Sequence, residues 1–102
     1  EKVSSMLKSF SRIDVLINNA GLEFITPILQ TGKKVEEMFR RITEINIMGT
    51  YYVTRDAVKL MPAGSSIVIT ASIWSKTAVA GFGAYCASKH ANLGFMRSLA
   101  QE

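Results

Sequence analysis

Two short apolar runs separated by a long helical pattern decide which class of fold is open to this chain. Asp14-Val15-Leu16-Ile17-Asn18 and Ser66-Ile67-Val68-Ile69-Thr70-Ala71 are continuous rather than alternating, the pattern of parallel strands buried on both faces. Between them, residues 35 to about 61 carry a helical repeat in which Met38, Ile42, Ile45, Gly49, Tyr52, Asp56 and Leu60 recur every three or four positions. Ile47, Tyr51, Thr54, Val58 and Met61 add apolar character on a second side, which a helix with one wet face does not need. Pro27, Thr31 and Gly32 mark a loop before this helix, and Pro62 and Gly64 stop it. Val3, Met6, Leu7 and Phe10 predict the last turns of a helix within residues 1 to 11. After a loop over 72 to 83, Ala87, Ala91, Leu93, Gly94, Met96, Leu99 and Ala100 predict a helix from 84 to 100 that packs through its small residues. Helix, strand, helix, strand, helix is an α/β order that calls for parallel strands joined by a right-handed crossover.

Composition removes several functions. A length of 102 residues allows one small domain, and 48% hydrophobic with 20% charged residues excludes disorder and low-complexity architectures. The apolar runs are of strand length, far short of the roughly 20 residues that cross a bilayer, so no membrane partner is expected. The first residues lack both an initiator methionine and the apolar core of a secretion signal, so the chain is expected to be an interior portion. With one cysteine, Cys86, and one histidine, His90, there is no internal disulfide and no zinc-ligand spacing, and a reducing, cytoplasmic setting is the expectation. The net charge of +4 suggests an anionic partner at first sight. However, Lys33, Lys34, Arg40 and Arg41 interleave with Glu36, Glu37 and Glu44 at helical spacing, so intrahelical ion pairs explain them and no nucleic acid is expected.

The residues with chemical potential gather in four places. Tyr85 and Lys89 stand four apart on the last helix and so share a face. An ammonium beside a phenol favours the phenolate and moves its titration toward the operating pH, which suits acid–base work, although the same pair also occurs as an ordinary helix-surface contact. Ser72 lies where the second strand gives way to the loop, at the carboxyl end where α/β sheets place ligands; taken alone it is a turn or capping serine. Asn46 falls inside the long helix, where its amide competes for backbone hydrogen bonds and opens the helix enough to hold a water. Asn18-Asn19-Ala20-Gly21 closes the first strand with polar side chains and then a small pair that lets a ligand approach the backbone. Gly81-Phe82-Gly83 is no phosphate loop, since Cys86 occupies the place of the third glycine and a long loop rather than a strand precedes it. Cys86 and His90, on one helix, lack the constellation that activates a thiol. Ile73, Trp74, Val79 and Phe82 offer either an apolar substrate wall or packing.

Taken jointly, Asn18-Asn19-Ala20-Gly21, the asparagine of Ile45-Asn46-Ile47-Met48-Gly49, Ser72 and Tyr85-Cys86-Ala87-Ser88-Lys89 closely resemble the short-chain dehydrogenase/reductases. The resemblance covers essentially the whole chain. It implies a fragment of a doubly wound Rossmann-type parallel sheet, residues 1–102 being a partial nucleotide-binding catalytic domain, and hydride transfer between NAD or NADP and a small carbonyl or secondary alcohol substrate. It gives Tyr85 the role of general acid or base, Lys89 the tuning of that tyrosine and the nicotinamide ribose, Ser72 the substrate oxygen, and Asn46 a proton-relay water. Asn18, Ala20 and Gly21 then line the adenosine side of the cofactor cleft. The family's glycine-rich phosphate turn and the residue that selects NAD or NADP have no counterpart in these 102 residues. Further expectations are a homo-oligomer paired through the two long helices, and helices on only one face of the two strands. A non-catalytic binding or assembly module on the same fold is the alternative, against which stand the intact Ser72, Tyr85 and Lys89.

Overall fold

A computed structural model describes residues 2–102. Its elements run α1 (Lys2–Leu7), β1 (Val15–Asn18), α2 (Lys33–Thr43), a π-helical turn (Glu44–Gly49), α3 (Thr50–Ala57), a 3-10 turn (Val58–Leu60), β2 (Ser66–Ile69), a second 3-10 turn (Ile73–Ser75) and α4 (Gly83–Leu99). The two strands pair in parallel, Val15 opposite Ser66 through Asn18 opposite Ile69, as the sequence order requires. Gly64, at φ +91, makes the tight turn into β2, a conformation that costs a side-chain-bearing residue strain.

The long helix expected over 35 to 61 is a continuous helical run from Lys33 to Leu60 that changes pitch three times, from α to π, back to α and then to 3-10. Its inner face is the one the periodicity selects, with Ile42 and Asp56 buried and Met38, Ile45, Gly49, Tyr52 and Leu60 half-buried. The second side is mixed, since Thr54 is buried while Tyr51 and Val58 are exposed. Both strands bury Leu16, Asn18, Ile67 and Ile69 partly on one face and expose Val15, Ile17, Ser66 and Val68 on the other. Thr54 of α3 bonds to Asn18, and Ile67 and Ile69 line a groove with Met96, Leu99 and Ala100 at the end of α4, so both helices cover the same face. Among the described residues no helix lies over Val15, Ile17 and Val68, so the helices stand on one face of the two strands.

In α4 the expected contact face differs from the observed one. Ala87, Gly94 and Met96 are exposed, whereas Ala84, Cys86, Ser88, Lys89 and Asn92 are buried. The physical reason is that α4 is held by polar groups as much as by apolar ones, which hydropathy periodicity cannot register. The same holds for the interior as a whole: Ile42, Ala57, Ala84 and Cys86 are the buried apolar residues, against a longer set of buried polar ones that includes Asn46, Thr50, Ser88 and Lys89. Burying polar groups is costly unless they are hydrogen-bonded, and no buried side-chain nitrogen or oxygen lacks a partner among the described residues.

Candidate active site

Asn46 organises the site from inside the helix. Its side chain is fully buried; Oδ1 accepts from the Leu22 N–H at 2.8 Å, and Nδ2 donates to the Leu22 carbonyl at 2.9 Å and to Ser88 Oγ at 3.0 Å. The residue lies within the wide π turn over Glu44–Gly49 and not in a regular α-helical turn. The sequence expectation of a helix opened at this residue is met by that turn. With both amide hydrogens engaged and the Thr50 hydroxyl donating to its backbone carbonyl at 3.0 Å, the Asn46 side chain can meet a water only as an acceptor, through the second lone pair of Oδ1.

The clamp on Leu22 fixes the loop after β1, and Gly21 lies beneath it. A Cβ on Gly21 would stand 3.4 Å from Asn46 Oδ1 and 3.6 Å from Lys89 Nζ, so Gly21, Asn46 and Lys89 form one cluster. Lys89 is 4% exposed, and burial pushes its ammonium below the ordinary lysine range. It donates to the Thr70 carbonyl at 3.2 Å, and its charge sits 5.5 Å from the centre of the Tyr85 ring. Thr70, directly after β2, is itself fixed by an N–H donated to the Asn18 carbonyl at 2.8 Å and a hydroxyl donated to Asn19 at 3.0 Å.

Ser72 opens the segment that follows Thr70 and Ala71. Its Oγ accepts from the Trp74 N–H at 3.2 Å while its own N–H donates to Ser75 Oγ at 3.1 Å, so it caps the short 3-10 turn that packs on α4. A capping hydroxyl accepts with its oxygen and keeps its hydrogen to give elsewhere; capping and binding a substrate oxygen are compatible in this residue. Trp74 meets the Tyr85 ring edge to face at 5.5 Å and Phe82 at 5.0 Å, giving the tyrosine an aromatic wall. Ile73 is exposed and Val79 partly so, and neither is used as core packing.

The structure thus brings Gly21, Asn46, Tyr85 and Lys89 together and joins Ser72 to them through Trp74. Asn18 is linked to that cluster only through its carbonyl, which accepts from Thr70, while its side-chain amide donates to Thr54 Oγ1 at 3.0 Å, binding β1 to α3; Ala20 is exposed at the strand end. Cys86 is buried and His90 engages the Cys86 carbonyl rather than a thiol. Sequence reasoning missed Thr70 and Ser88. The signal for Ser88 was present: a short polar residue inside a helix, between Tyr85 and Lys89, asks what its hydroxyl bonds. Among the described residues no three His, Cys, Asp or Glu side chains are grouped to hold a metal, and no helix is long and apolar enough to cross a membrane.

The fold is a portion of a Rossmann-type α/β unit, with one polar cluster gathered after its two strands. The chain belongs to the short-chain dehydrogenase/reductases: the family model for short chain dehydrogenases matches residues 1–102. It is 35% identical to momilactone A synthase of Oryza sativa subsp. japonica over 98% of this chain and 37% of that protein. It is 36% identical to the chloroplastic NADPH-dependent aldehyde reductase 1 of Arabidopsis thaliana, over 96% of this chain and 33% of the relative. Among solved structures, the ligand-free aldohexose dehydrogenase of Thermoplasma acidophilum superposes with a TM-score of 0.85 at 31% identity, covering 98% of this chain and 39% of that one. A short chain dehydrogenase of Shigella flexneri complexed with NADP gives a TM-score of 0.83 at 28% identity, over 98% and 42% of the two chains. The chain therefore spans about two-fifths or less of the length of these relatives. NAD or NADP is the cofactor that fits this family.

Proposed function

We propose that this chain is the catalytic portion of an oxidoreductase that moves hydride between NAD or NADP and a small carbonyl or secondary alcohol substrate, with Tyr85 as the proton donor and acceptor. One observation carries the reading: a nearly fully buried ammonium, Lys89, lies 5.5 Å from the centre of the Tyr85 ring, one helical turn away, beside a glycine that leaves the space above it open. A buried lysine without an ionic partner is expensive, and a protein keeps one where its charge has a task.

When bound, the nicotinamide nucleotide supplies or accepts the hydride. Lys89 has three donors, of which Thr70 takes one, leaving others for a ribose hydroxyl. Gly21 and the Leu22 backbone, held by Asn46, would form the wall along which the nucleotide lies. In the reductive direction Tyr85 Oη gives its proton to the substrate oxygen as the carbonyl carbon gains hydride, and the Lys89 charge offsets the negative charge left on the phenol oxygen. Ser72 donates to the same substrate oxygen and orients it. In the oxidative direction the proton returns to Tyr85. Asn18 and Ala20 serve the end of the cleft farther from Tyr85.

Two copies of the intact protein pair through the exposed sides of α2, α3 and α4, where Tyr51 and Val58 remain 42% and 46% exposed. A cytoplasmic setting suits a chain whose one cysteine is a buried free thiol. The reading is tested in the intact protein by Tyr85→Phe, which removes the proton and little else. Turnover is expected to fall by about 100-fold or more while nucleotide titration shows nearly unchanged affinity; turnover close to that of the parent would reject Tyr85 as the acid.

A further inference from the structure

We propose that Ser88 is a positioning residue of this site, coupling the Asn46 clamp to the turn of α4 that carries Tyr85 and Lys89; the proposal rests on the function given above. Ser88 is fully buried. Its hydroxyl donates to the Tyr85 carbonyl at 2.8 Å, and its oxygen accepts from Asn46 Nδ2 at 3.0 Å. The other Asn46 bonds hold both backbone groups of Leu22. One unbroken polar chain therefore runs from the loop after β1, through the π turn, to the start of α4, joining three segments remote in sequence.

A serine that bonds back to its own helix usually does so without consequence, because water or a neighbour can substitute. Here no substitute is available. The second Nδ2 hydrogen of Asn46 has Ser88 as its partner, in a place closed to solvent. The back-bond to Tyr85 also turns the Ser88 lone pair toward Asn46, so the two bonds fix each other. Ser88 is three residues from Tyr85 and one from Lys89, and Lys89 Nζ is in turn close to the space above Gly21. A small tilt of this helical turn changes the place of the phenol relative to the loop that Asn46 holds, and sub-ångström to ångström misplacement of a reacting group is costly in rate.

The test compares Ser88→Ala, Asn46→Ala and the double variant in the intact protein, with turnover counted per nucleotide-binding site so that loss of folded protein does not register. Ser88→Ala is expected to lower kcat by roughly 10- to 100-fold and to raise the solvent deuterium isotope effect on kcat, since proton transfer becomes slower. The double variant is expected to be no slower than Asn46→Ala alone, because the two side chains act as one unit. A lower thermal midpoint with kcat per site unchanged, or losses that multiply in the double variant, would overturn the proposal. Should Ser88→Ala not fold, Ser88→Cys decides: its weakly accepting sulfur is expected to give a partial loss of kcat with the same rise in isotope effect, and parental values of both would overturn it. Tyr85→Phe is measured alongside. Turnover retained there defeats the assignment of Tyr85, whereas turnover lost there with Ser88→Ala unaffected defeats only the role of Ser88.

Discussion

Lys89 shows how a single residue sets function against stability. Its ammonium is removed from water, has a neutral carbonyl as its hydrogen-bond acceptor, and is pushed by that burial below the ordinary lysine range. The charged form is thus penalised in the folded protein relative to the unfolded chain. At a pH below the folded-state value both states carry the proton and the penalty is felt in full. Between the lowered value and the ordinary lysine value of 10.5 the unfolded state binds more protons, so stability rises with pH across that window. Replacing Lys89 by Met keeps the stem and removes the charge. Lys89→Met is expected to raise the thermal midpoint of the nucleotide-free protein near neutral pH and to remove the Lys89 contribution to the rise with pH, while abolishing turnover and weakening nucleotide affinity. Thermal melts of parent and variant between neutral pH and pH 10 check this, and a variant that melts lower than its parent at neutral pH would show that the ammonium is a net stabiliser.

At the scale of elements, the helical run from Lys33 to Leu60 carries its information in an irregularity. Regular periodicity identifies its inner face, yet the site depends on the π turn at Glu44–Gly49, from which the Asn46 side chain holds Leu22. Asn46→Ala would leave the Leu22 N–H and C=O without these partners and is expected to cost roughly 2 to 6 kcal/mol of stability, at about 1 to 3 kcal/mol for each of the two groups left unsatisfied. Urea unfolding of the intact variant measures it; a loss below about 1 kcal/mol would mean that water replaces the amide. This division also explains what could be read from the sequence. Strand order, the crossover helix and the inner positions Ile42 and Ile45 follow from hydropathy, and Asn46, Tyr85 and Lys89 stood out as chemically unusual at their places. The buried face of α4 could not be read in that way, because Ser88, Lys89 and Asn92 look like solvent-facing residues until the bonds that admit them to the interior are seen. Thr70 was hidden for a similar reason: its carbonyl, a group every residue has, is what holds Lys89.

At the scale of the whole molecule, the unpaired surfaces make predictions. On the long helical run, Tyr51 and Val58 project apolar surface beside Arg55, whose guanidinium lies 5.6 Å from the Tyr51 ring centre. Val58→Glu is expected to lower the sedimentation coefficient of the intact protein to that of a monomer without altering nucleotide affinity; an unchanged oligomer would place the contact elsewhere. The two-stranded sheet makes a second demand. Val15, Ile17 and Val68 are 57%, 62% and 49% exposed on one face, and each strand has one edge with no hydrogen-bonded neighbour among the described residues. Exposed apolar strands with unpaired edges are templates for pairing with further chains. Residues 1–102 produced alone are therefore expected to associate in a concentration-dependent way in sedimentation. Ile17→Lys and Val68→Lys, which put charge on the bare face without touching Asn46, Ser72, Tyr85 or Lys89, are expected to suppress it. Nucleotide affinity of the same piece is expected to be negligible by calorimetry. Its sequence has no glycine-rich turn whose backbone amides could take the pyrophosphate, and the donors remaining on Lys89 address only the sugar. Tight binding by a monodisperse residue 1–102 protein would contradict both arguments together, since it would require a covered sheet and a phosphate site built from residues other than these.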